Sequence, residues 1–507
     1  MTQDAKIILY RFTLVKWYFI ICKVFQAVDL HPEFKTQESI MRLILTHILF
    51  LSCFMTGCSG SDPEYTPDGR IIVTYWEKWA GFEGDAIQSV IDDFNVSQDR
   101  IFVQRLTVSQ IEHKLLLATA GGNPPDLAGL WDRNVATLAE KGALTPLNRR
   151  LEQGGIQKQD YLPSLWSLCE HRGFMWALPT TPATTALHWN KAMFREAGLD
   201  PEIPPVTLAE LDEMAERLTY VEVIRGGEPV QLYYPELTEQ EKAAKDFRLL
   251  RVGFNPNEPG WWNEQWGAWF GAELWDGGDV VTATHPANIE AMSWFGSYTE
   301  KYGIVNYQRF GDSTGEFASP QNPFLDGRVA MVMQGVWMYN FIDQYAPALD
   351  WGAAPFPAKG DLIGQNISLI SSDVVVIPRG AKNIDEAFEF MKYLASRPAI
   401  EKLCLGHRKF SPLAAYSDSF IEDHPNPAIG VFIELASSPH AEPIPKLSIW
   451  SEYRDELALA ANRVYTGLAE PEEALSDAGR RIQRKFDREC QRWALTGEQR
   501  MKEWAEQ

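Results

Sequence analysis

The chain has 507 residues, of which 45% are hydrophobic and 12% aromatic. It can therefore bury large cores, but it is too long for a single core and is expected to form two or three domains. Its formal net charge of −21 opposes binding to nucleic acid, because a phosphate backbone is held by clustered basic residues.

The cysteines and histidines predict neither a disulfide scaffold nor a metal site. Cys169, Cys404 and Cys490 are isolated from one another and odd in number, so we expect unpaired thiols, although one pairing among them stays possible. The 9 histidines show none of the spacings typical of zinc ligands. We therefore expect no metal and no cofactor.

A short signal-like segment lies at residues 41–58, MRLILTHILFLSCFMTGC. Arg42 gives it a positive start, and the mostly apolar run from Leu43 to Met55 has the length of the hydrophobic region of a signal peptide. A transmembrane anchor is the alternative, but a spanning helix needs about 20 apolar residues and this run is shorter. The segment predicts export of the chain rather than a membrane span.

The end of this segment resembles the lipobox of bacterial lipoproteins. The small residues Thr56 and Gly57 stand directly before Cys58, although Met55 occupies the position where leucine is usual. The resemblance implies that Cys58 becomes the lipidated first residue of the mature protein. The resulting division is an upstream extension foreign to the native protein at 1–40, a signal peptide at 41–57 and a lipid-anchored tether at 58–70.

The chain after the tether predicts alternating strands and helices. Apolar residues at helical spacing between Ile87 and Phe94 mark the first helix, and Ser109 with Glu112 resembles a capping box that opens the second. Such alternation is typical of βαβ units with a mainly parallel sheet, so the fold class is α/β. The predicted elements are a strand at Arg70–Tyr75, a helix around Ile87–Phe94, a strand at Ile101–Leu106, a helix from Ser109 to Gly121, a strand at Asp126–Leu130 and a helix at Asn134–Lys141.

Further along the chain, two helix starts are marked by their own residues. Thr207 with Glu210 forms a second capping box, and Pro286 suits the first turn of a helix that Gly303 ends. The other predicted elements are short extended pieces at Ala177–Pro179 and Ala186–Trp189, a buried strand at Val374–Ile377, a helix at Asp385–Leu394 and nearly continuous helix from Tyr453 to Arg492, broken near Gly467–Pro471.

Several short phrases follow one another along the chain after the tether. They are GNPPD at 122–126, KGALTPL at 141–147, WALP at 176–179, LHWN at 187–190, EAGL at 196–199, PPVT at 204–207, FLDGRVAM at 324–331, GVW at 335–337, AFEFMKYL at 387–394, VYTG at 464–467 and PEEAL at 471–475. No single phrase is diagnostic, but their order over some 400 residues behind a lipobox closely resembles the extracellular solute-binding proteins of carbohydrate ABC transporters, the family that includes maltose-binding protein.

The resemblance implies two α/β lobes joined by crossing segments, the type II fold of periplasmic binding proteins, with ligand held in the cleft between the lobes. Both lobes are discontinuous in sequence. Lobe 1 is placed at 59–185 plus 372–425, and lobe 2 at 186–371 plus 426–507. The charged stretch from Val221 to Pro259 is interpreted as an insertion in lobe 2.

The same resemblance suggests which residues reach the ligand. An indole covers the apolar C–H face of a sugar, while carboxylates bind hydroxyls at its rim, and tryptophan is abundant at 18 residues. For each tryptophan the alternative is simple burial in a core. The candidates are Glu77, Trp79, Trp131, Asp132, Trp337 and Trp450, together with Glu264 and Trp266 or Trp269 from the tryptophan-rich run.

The expected function is that of a monomeric substrate-binding lipoprotein outside the cytoplasmic membrane. It would capture a small neutral carbohydrate in the interlobe cleft and deliver it to ABC permease subunits, without catalysis. One alternative is a surface glycan-processing lipoprotein resembling a glycosidase. Another keeps the fold but binds a glycerol phosphodiester or a polyamine; because Lys78 and Arg133 are the basic residues near the predicted cleft, and an anion needs such partners, a neutral sugar is preferred.

Overall fold

The computed structural model describes residues 64–507. The upstream extension predicted at 1–40, the signal peptide at 41–57 and the lipidation site Cys58 lie outside the described residues. The strands are β1 (Ile71–Glu77), β2 (Ile101–Thr107), β3 (Leu127–Trp131), β4 (Glu170–His171), β5 (Phe174–Met175), β6 (Leu178–Asn190), β7 (Tyr220–Arg225), β8 (Glu228–Tyr233), β9 (Arg248–Phe254), β10 (Val329–Gly335), β11 (Trp351–Ala354), β12 (Ser368–Val376) and β13 (Ala441–Pro443).

Helices cover both faces of these strands and make up most of the C-terminal part. The α-helices are α1 (Gly81–Ser97), α2 (Ile111–Ala120), α3 (Val135–Glu140), α4 (Asn148–Gly154), α5 (Pro163–Leu168), α6 (Lys191–Glu196), α7 (Leu208–Leu218), α8 (Glu239–Ala244), α9 (Pro286–Tyr302), α10 (Ile304–Asp312), α11 (Met338–Tyr345), α12 (Ile384–Leu394), α13 (Arg397–His407), α14 (Asp418–Glu422), α15 (Ile429–Ser437), α16 (Trp450–Tyr465) and α17 (Pro471–Glu506). Short 3₁₀ helices lie at Asp132–Asn134, Lys158–Asp160, Tyr234–Glu236, Trp266–Phe270 and Gly360–Leu362.

The predicted α/β alternation at the start of the chain is confirmed. Strand β1 pairs in parallel with β2 and β3, and α1 and α2 connect them. The capping box predicted for α2 is wrong. The helix begins at Ile111, and its N-cap is Gln110 in the left-handed conformation, without a side-chain cap. The capping box at α7 is confirmed, since Thr207 Oγ1 accepts from Glu210 N at 3.1 Å and Glu210 Oε2 accepts from Thr207 N at 3.0 Å.

Strand β6 joins the two halves of the sheet. The sequence predicts two short extended pieces here, but the structure has one strand of 13 residues that is buried along its whole length. Its first part pairs with β12, and its second part pairs with β10 and β11. The main strand order is β2-β1-β3-β12-β6-β10-β9-β7-β8. A strand buried on both faces lacks period-2 alternation, so its pattern did not show that the two pieces are continuous.

Two large apolar cores lie in the two halves of the protein that β6 joins. The first core draws on residues from Val73 to Leu178 and from Val374 to Phe420, with Trp504 added. The second core draws on Leu187 to Ile367 and Leu447 to Phe486. These ranges follow the predicted lobes except at Trp504, and the lobe boundaries themselves stay a prediction. A smaller cluster that includes Leu165, Phe410 and Phe432 packs beneath β6 and β12.

The stretch predicted as an insertion, Val221 to Pro259, extends the sheet of the second half. Strands β7 and β8 form a hairpin, and β9 pairs with β7 and, in parallel, with β10. Val252 and Phe254 of β9 belong to the second core. The last strand of this stretch, β9, therefore contributes to the second core.

The C-terminal helices occur as predicted, with a break between Tyr465 and Pro471. Helix α17 runs on to Glu506, well past the predicted end at Arg492. Within the described residues, no helix is both long enough and apolar enough to cross a membrane. Cys169 and Cys404 are buried free thiols, and Cys490 is half-buried.

Candidate ligand-binding site

A cavity of about 910 Å³ opens where the ends of strands from the first half face loops and helices of the second half. This volume lies within the range of roughly 300–1,000 Å³ common for small-molecule sites. The first half contributes the residues that follow β1 and β3, and the second half contributes the loop before the 3₁₀ helix at Trp266–Phe270 and the start of α16. The wall includes Trp79, Trp131, Asp132, Arg133, Trp261, Trp262, Glu264, Trp337, Asn340, Asp373, Lys409, Trp450 and Arg454.

Most of the predicted site residues meet at this cavity. They come from five separate places in the sequence, and the fold brings them together. The predicted residues that line the cavity are Trp79, Trp131, Asp132, Glu264, Trp337 and Trp450. The predicted residues that do not line it are Glu77, Trp266 and Trp269.

Trp266 and Trp269 lie in the second core. Trp269 is fully buried, and its Nε1 donates to the carbonyl of Ile367 at 3.3 Å. Both indoles pack against Phe356, with ring centroids 5.4 and 5.1 Å away. The 3₁₀ helix at Trp266–Phe270 turns these rings towards the core, so the expectation that either one faces the ligand is corrected by their position.

Glu77 lies beneath the cavity wall and orders the chain that follows β1. Its carboxylate accepts from Tyr75 Oη at 2.6 Å and from the backbone N–H groups of Lys78 and Trp79 at 2.7 and 3.2 Å. A Cβ at position 129 would stand 2.0 Å from Glu77 Oε2, so Gly129 leaves the space that this carboxylate occupies. Glu77 therefore positions Trp79 rather than facing the cavity.

A buried ion cluster forms the floor of the cavity in the first half. Asp373 lies at an irregularity in the pairing of β12 with β6. Its Oδ1 is 3.1 Å from Lys78 Nζ, its Oδ2 is 3.1 Å from Lys409 Nζ, and Thr181 Oγ1 donates to it at 2.5 Å. Burial opposes ionisation here, but the two ammonium groups hold the pKa of Asp373 well below its ordinary value.

This cluster also supports the aromatic wall of the first half. The rings of Trp79 and Trp131 meet edge to face, with centroids 6.1 Å apart. Lys78 Nζ lies 5.1 and 5.2 Å from those two centroids, and the guanidinium of Arg133 lies 4.2 Å from that of Trp131. Cation–π contacts of this kind fix ring orientation and are worth about 0.5–2 kcal/mol each.

The second half supplies a larger aromatic wall, and two of its members were not among the predicted site residues. Trp261 and Trp262 are perpendicular, with centroids 5.7 Å apart, and both lie 6.2 Å from Trp337. Trp261 also contacts Phe317 at 4.6 Å. Trp261 stays 49% exposed. Its place on a loop beside Gly260 was the available signal, because binding residues concentrate on loops.

Several polar atoms of the cavity wall have no protein partner. Among the described residues, the indole N–H groups of Trp79, Trp262 and Trp337 donate to no acceptor, and Glu264 Oε1 and Asn340 Oδ1 accept from no donor. Buried polar groups are normally hydrogen-bonded, so each such group calls for an explanation. Donors and acceptors of a bound polar solute would satisfy them.

Two carboxyl groups of the wall have pKa values raised above their ordinary range. Burial raises the pKa of Asp132 to about 6, although Ser372 N–H donates to its carboxylate. Burial likewise raises the pKa of Glu264 to about 7, against a smaller opposing effect of Arg454. Near neutral pH both groups can therefore act as hydrogen-bond donors or acceptors.

The titration of Glu264 predicts a pH-dependent stability of the ligand-free protein. Its folded pKa of about 7 exceeds the ordinary value of 4.5, so the stabilisation is present at low pH and is lost as the pH rises from about 4.5 to 7. The difference corresponds to about 3 kcal/mol. We expect Glu264→Gln to flatten the decline in the midpoint of thermal unfolding across this range, whereas Glu316→Gln, at an exposed position in the same wall, should follow the native curve. Parallel curves for native protein and Glu264→Gln would contradict the assignment.

Comparison with known proteins identifies the family. The sequence model for bacterial extracellular solute-binding proteins matches residues 102–401. The chain belongs to that family. It is the solute-binding component of an ABC importer and works outside the cytoplasm, and proteins of this family are binding proteins rather than enzymes.

Individual relatives of this solute-binding protein are distant but cover most of its length. The sn-glycerol-3-phosphate-binding periplasmic protein UgpB of Pectobacterium atrosepticum is 22% identical over 449 residues, which span 82% of this chain and 92% of the relative. The solved structure of CpMnBP1 with mannotriose bound is 26% identical, with a TM-score of 0.67 over 81% of this chain and 99% of that one. UgpB from Mycobacterium tuberculosis in complex with glycerophosphocholine, at 19% identity, gives a TM-score of 0.64 over 83% of this chain and 100% of that one.

These structural neighbours share the two-lobe fold expected from the sequence, and that expectation is confirmed. The cavity accordingly corresponds to a cleft between lobes. No cluster of histidine, cysteine and acidic side chains suited to a metal ion occurs in the part of the chain that the structure describes.

Proposed function

We propose that this solute-binding protein captures a small neutral carbohydrate, two to three sugar rings long, in the cavity between its lobes. The observation that carries the proposal is the pairing of indole walls from both halves with unpartnered polar atoms between them. Apolar walls with a few placed polar groups are typical of small-molecule sites. The volume of about 910 Å³ suits a ligand of this size.

The chemistry of the walls matches the two surfaces of a pyranose ring. Trp131 and Trp337 can cover the C–H faces, and aromatic contacts of this kind contribute about 0.5–1.5 kcal/mol each beyond buried area. Glu264 and Asn340 can accept from hydroxyl groups, and the indole N–H groups can donate to hydroxyl oxygens. A few such contacts suffice for micromolar affinity, about −8 kcal/mol.

Ligand that touches both walls would favour the closed arrangement of the lobes, because its contacts are complete only there. The closed protein would then be the form that the permease recognises. CpMnBP1, which is 26% identical to this chain, was solved with mannotriose bound, and that structure supports an oligosaccharide as ligand.

A thermal-unfolding screen tests this proposal. Mono-, di- and trisaccharides are added to the full chain, together with glycerol phosphodiesters and polyamines. A bound sugar at a hundred times its Kd should stabilise the folded protein by about 2.7 kcal/mol. If a solute of another class raises the unfolding temperature and no saccharide does, the carbohydrate proposal is wrong.

A glycerol phosphodiester is the second candidate, because the structure adds two basic residues, Lys409 and Arg454, to the cavity wall. Lys409 is paired with Asp373, but Arg454 of α16 lines the cavity together with Arg133, and guanidinium groups bind phosphate well. UgpB relatives match this chain. The carboxylates of Glu83, Glu316 and Asp455 line the same cavity and oppose an anion, so the neutral sugar is preferred.

We further propose that Cys58 carries the lipid anchor and that the protein acts as a monomer. Cys58→Ser should move the protein from the membrane fraction to the soluble fraction while binding of the solute is unchanged. Persistence of the variant in the membrane fraction would contradict the anchor. Release of reducing ends from an oligosaccharide by the native protein would instead favour the glycan-processing alternative.

A further inference from the structure

Helix α17 is attached to both halves of the protein. It contains 36 residues, which corresponds to about 54 Å at 1.5 Å per residue. It lies outside the residues 102–401 that match the family. Since a continuous helix is a stiff element, its attachments bear on how far the two halves can move apart.

The N-terminal part of α17 belongs to the second core. Leu475, Ile482 and Phe486 are buried there. The same part is tied to neighbouring segments by polar contacts, since Gln483 Oε1 accepts from Val281 N at 2.9 Å and Lys485 Nζ lies 2.7 Å from Glu452 of α16. This half of the helix is therefore packed as part of the second core.

The C-terminal part of α17 belongs to the first core. Trp504 is only 7% exposed, and its ring meets those of Trp176 and Phe174 edge to face, at 4.8 and 5.6 Å. The guanidinium of Arg172 lies 4.3 Å from the ring centroid of Trp493. Arg500 donates to the carbonyl of Glu140. These contacts attach the end of the helix to α3 and to the β4–β5 hairpin.

The attachment point is close to the ligand cavity in sequence and structure. Glu140 ends α3, which directly follows the 3₁₀ turn at Asp132–Asn134. Asp132 and Arg133 of that turn line the cavity. The end of α17 therefore packs on the element that carries part of the first wall.

The segment between the two attachments, residues 487–492, stays helical and has no fully buried side chain, and within it the half-buried Cys490 packs against the second core. Glu489 and Arg492 form an ion pair at 2.9 Å, three residues apart on the helix, which supports the helical conformation. The segment contains neither glycine nor proline, the residues at which helices usually bend. Because the segment is a stiff helix attached at both ends, a displacement of one core relative to the other has to bend or detach it.

We propose that residues 493–506 form a strap that restricts the separation of the two lobes when no solute is bound. With the strap in place, the ligand-free protein samples fewer open arrangements. Less conformational freedom is then lost when ligand closes the cleft, and binding is tighter. The strap acts without touching the ligand, and the inference stands whichever solute is bound.

Distance measurements on the ligand-free full chain test the strap. Spin labels are placed at Leu117→Cys in α2 and Ile224→Cys in β7, both exposed positions on opposite halves, in a Cys490→Ser background. Trp504→Ala should broaden the distance distribution and lower solute affinity three- to tenfold. Leu495→Ala, at a position of the same helix that is 87% exposed, should change neither, and Trp504→Phe should restore most of the native behaviour.

A second variant keeps both attachments and changes only the connection. Arg488→Gly with Gln491→Gly makes the bridging segment flexible, whereas alanine at the same two positions keeps it helical. We expect the glycine pair to broaden the distribution and the alanine pair to leave it unchanged. If folded Trp504→Ala and the glycine pair both give the native distribution, there is no strap. Because this readout needs no ligand, its failure is distinct from failure of the carbohydrate proposal.

Discussion

Replacement of Asp373 by alanine is expected to lower the free energy of unfolding by about 3–5 kcal/mol, because it leaves buried charges without their partner. The ammonium groups of Lys78 and Lys409, each with a side chain only 5% exposed, lie 3.1 Å from its two oxygens. Their other carboxylates, Glu77 and Glu83, are farther away at 3.5 and 4.0 Å. Urea-induced unfolding measures the change.

Asp93→Ala is the matched control for Asp373→Ala. Asp93 pairs with Lys402 at 2.5 Å, but both side chains are at least 42% exposed, so its loss should cost no more than about 1 kcal/mol. The pKa of Asp373 lies below its ordinary value, so its contribution is present above about pH 4 and is lost on acidification. A loss for Asp373→Ala no larger than that for Asp93→Ala would show that the cluster contributes little.

Replacement of Trp131 or Trp337 by alanine is expected to weaken solute binding by about ten- to a hundredfold. Each indole lines the cavity, one in each half, and loss of its stacking and buried area corresponds to about 1.5–3 kcal/mol. Both are half-buried, so the variants should remain folded. Isothermal titration with the solute found in the thermal screen measures the affinity.

Trp351→Ala is the control for these two variants. Trp351 is also half-buried and stacks on His188, with centroids 5.5 Å apart, but it does not line the cavity. Its loss should reduce stability and leave affinity within about twofold, or 0.4 kcal/mol. Native affinity in a folded double variant of Trp131 and Trp337 would place the ligand elsewhere.

Predictions from local sequence patterns were correct where the structure depends on residues within one helical turn. The capping box at Thr207 and the helix that begins at Pro286 and ends at Tyr302 were located by residues that act within one turn. The capping box at Ser109 failed, because Gln110 adopts the left-handed conformation and opens the helix one residue later. Local rules are outweighed when the chain's path into an element is set by packing.

The residues of the cavity also divide into those that could be proposed from sequence and those that only the fold identifies. Trp79 and Trp131 were proposed from the resemblance to the family, and both line the cavity. Within the tryptophan-rich run, no periodicity separated the indoles that face the cavity from those in the core. The 3₁₀ helix at Trp266–Phe270 turns Trp266 and Trp269 into the second core, so the two groups of indoles are distinguished only by the fold.

Residue types and spacings within short segments were enough to predict the α/β class and most of the helix positions, and the order of several phrases along the chain indicated the family. Tertiary packing was needed to show which tryptophans line the cavity, how Asp373 pairs with two lysines far apart in the chain, and that Trp504 belongs to the first core. The physical reason is that burial and ion pairing depend on distances in space between segments, and the spacing of residues along the chain does not specify those distances.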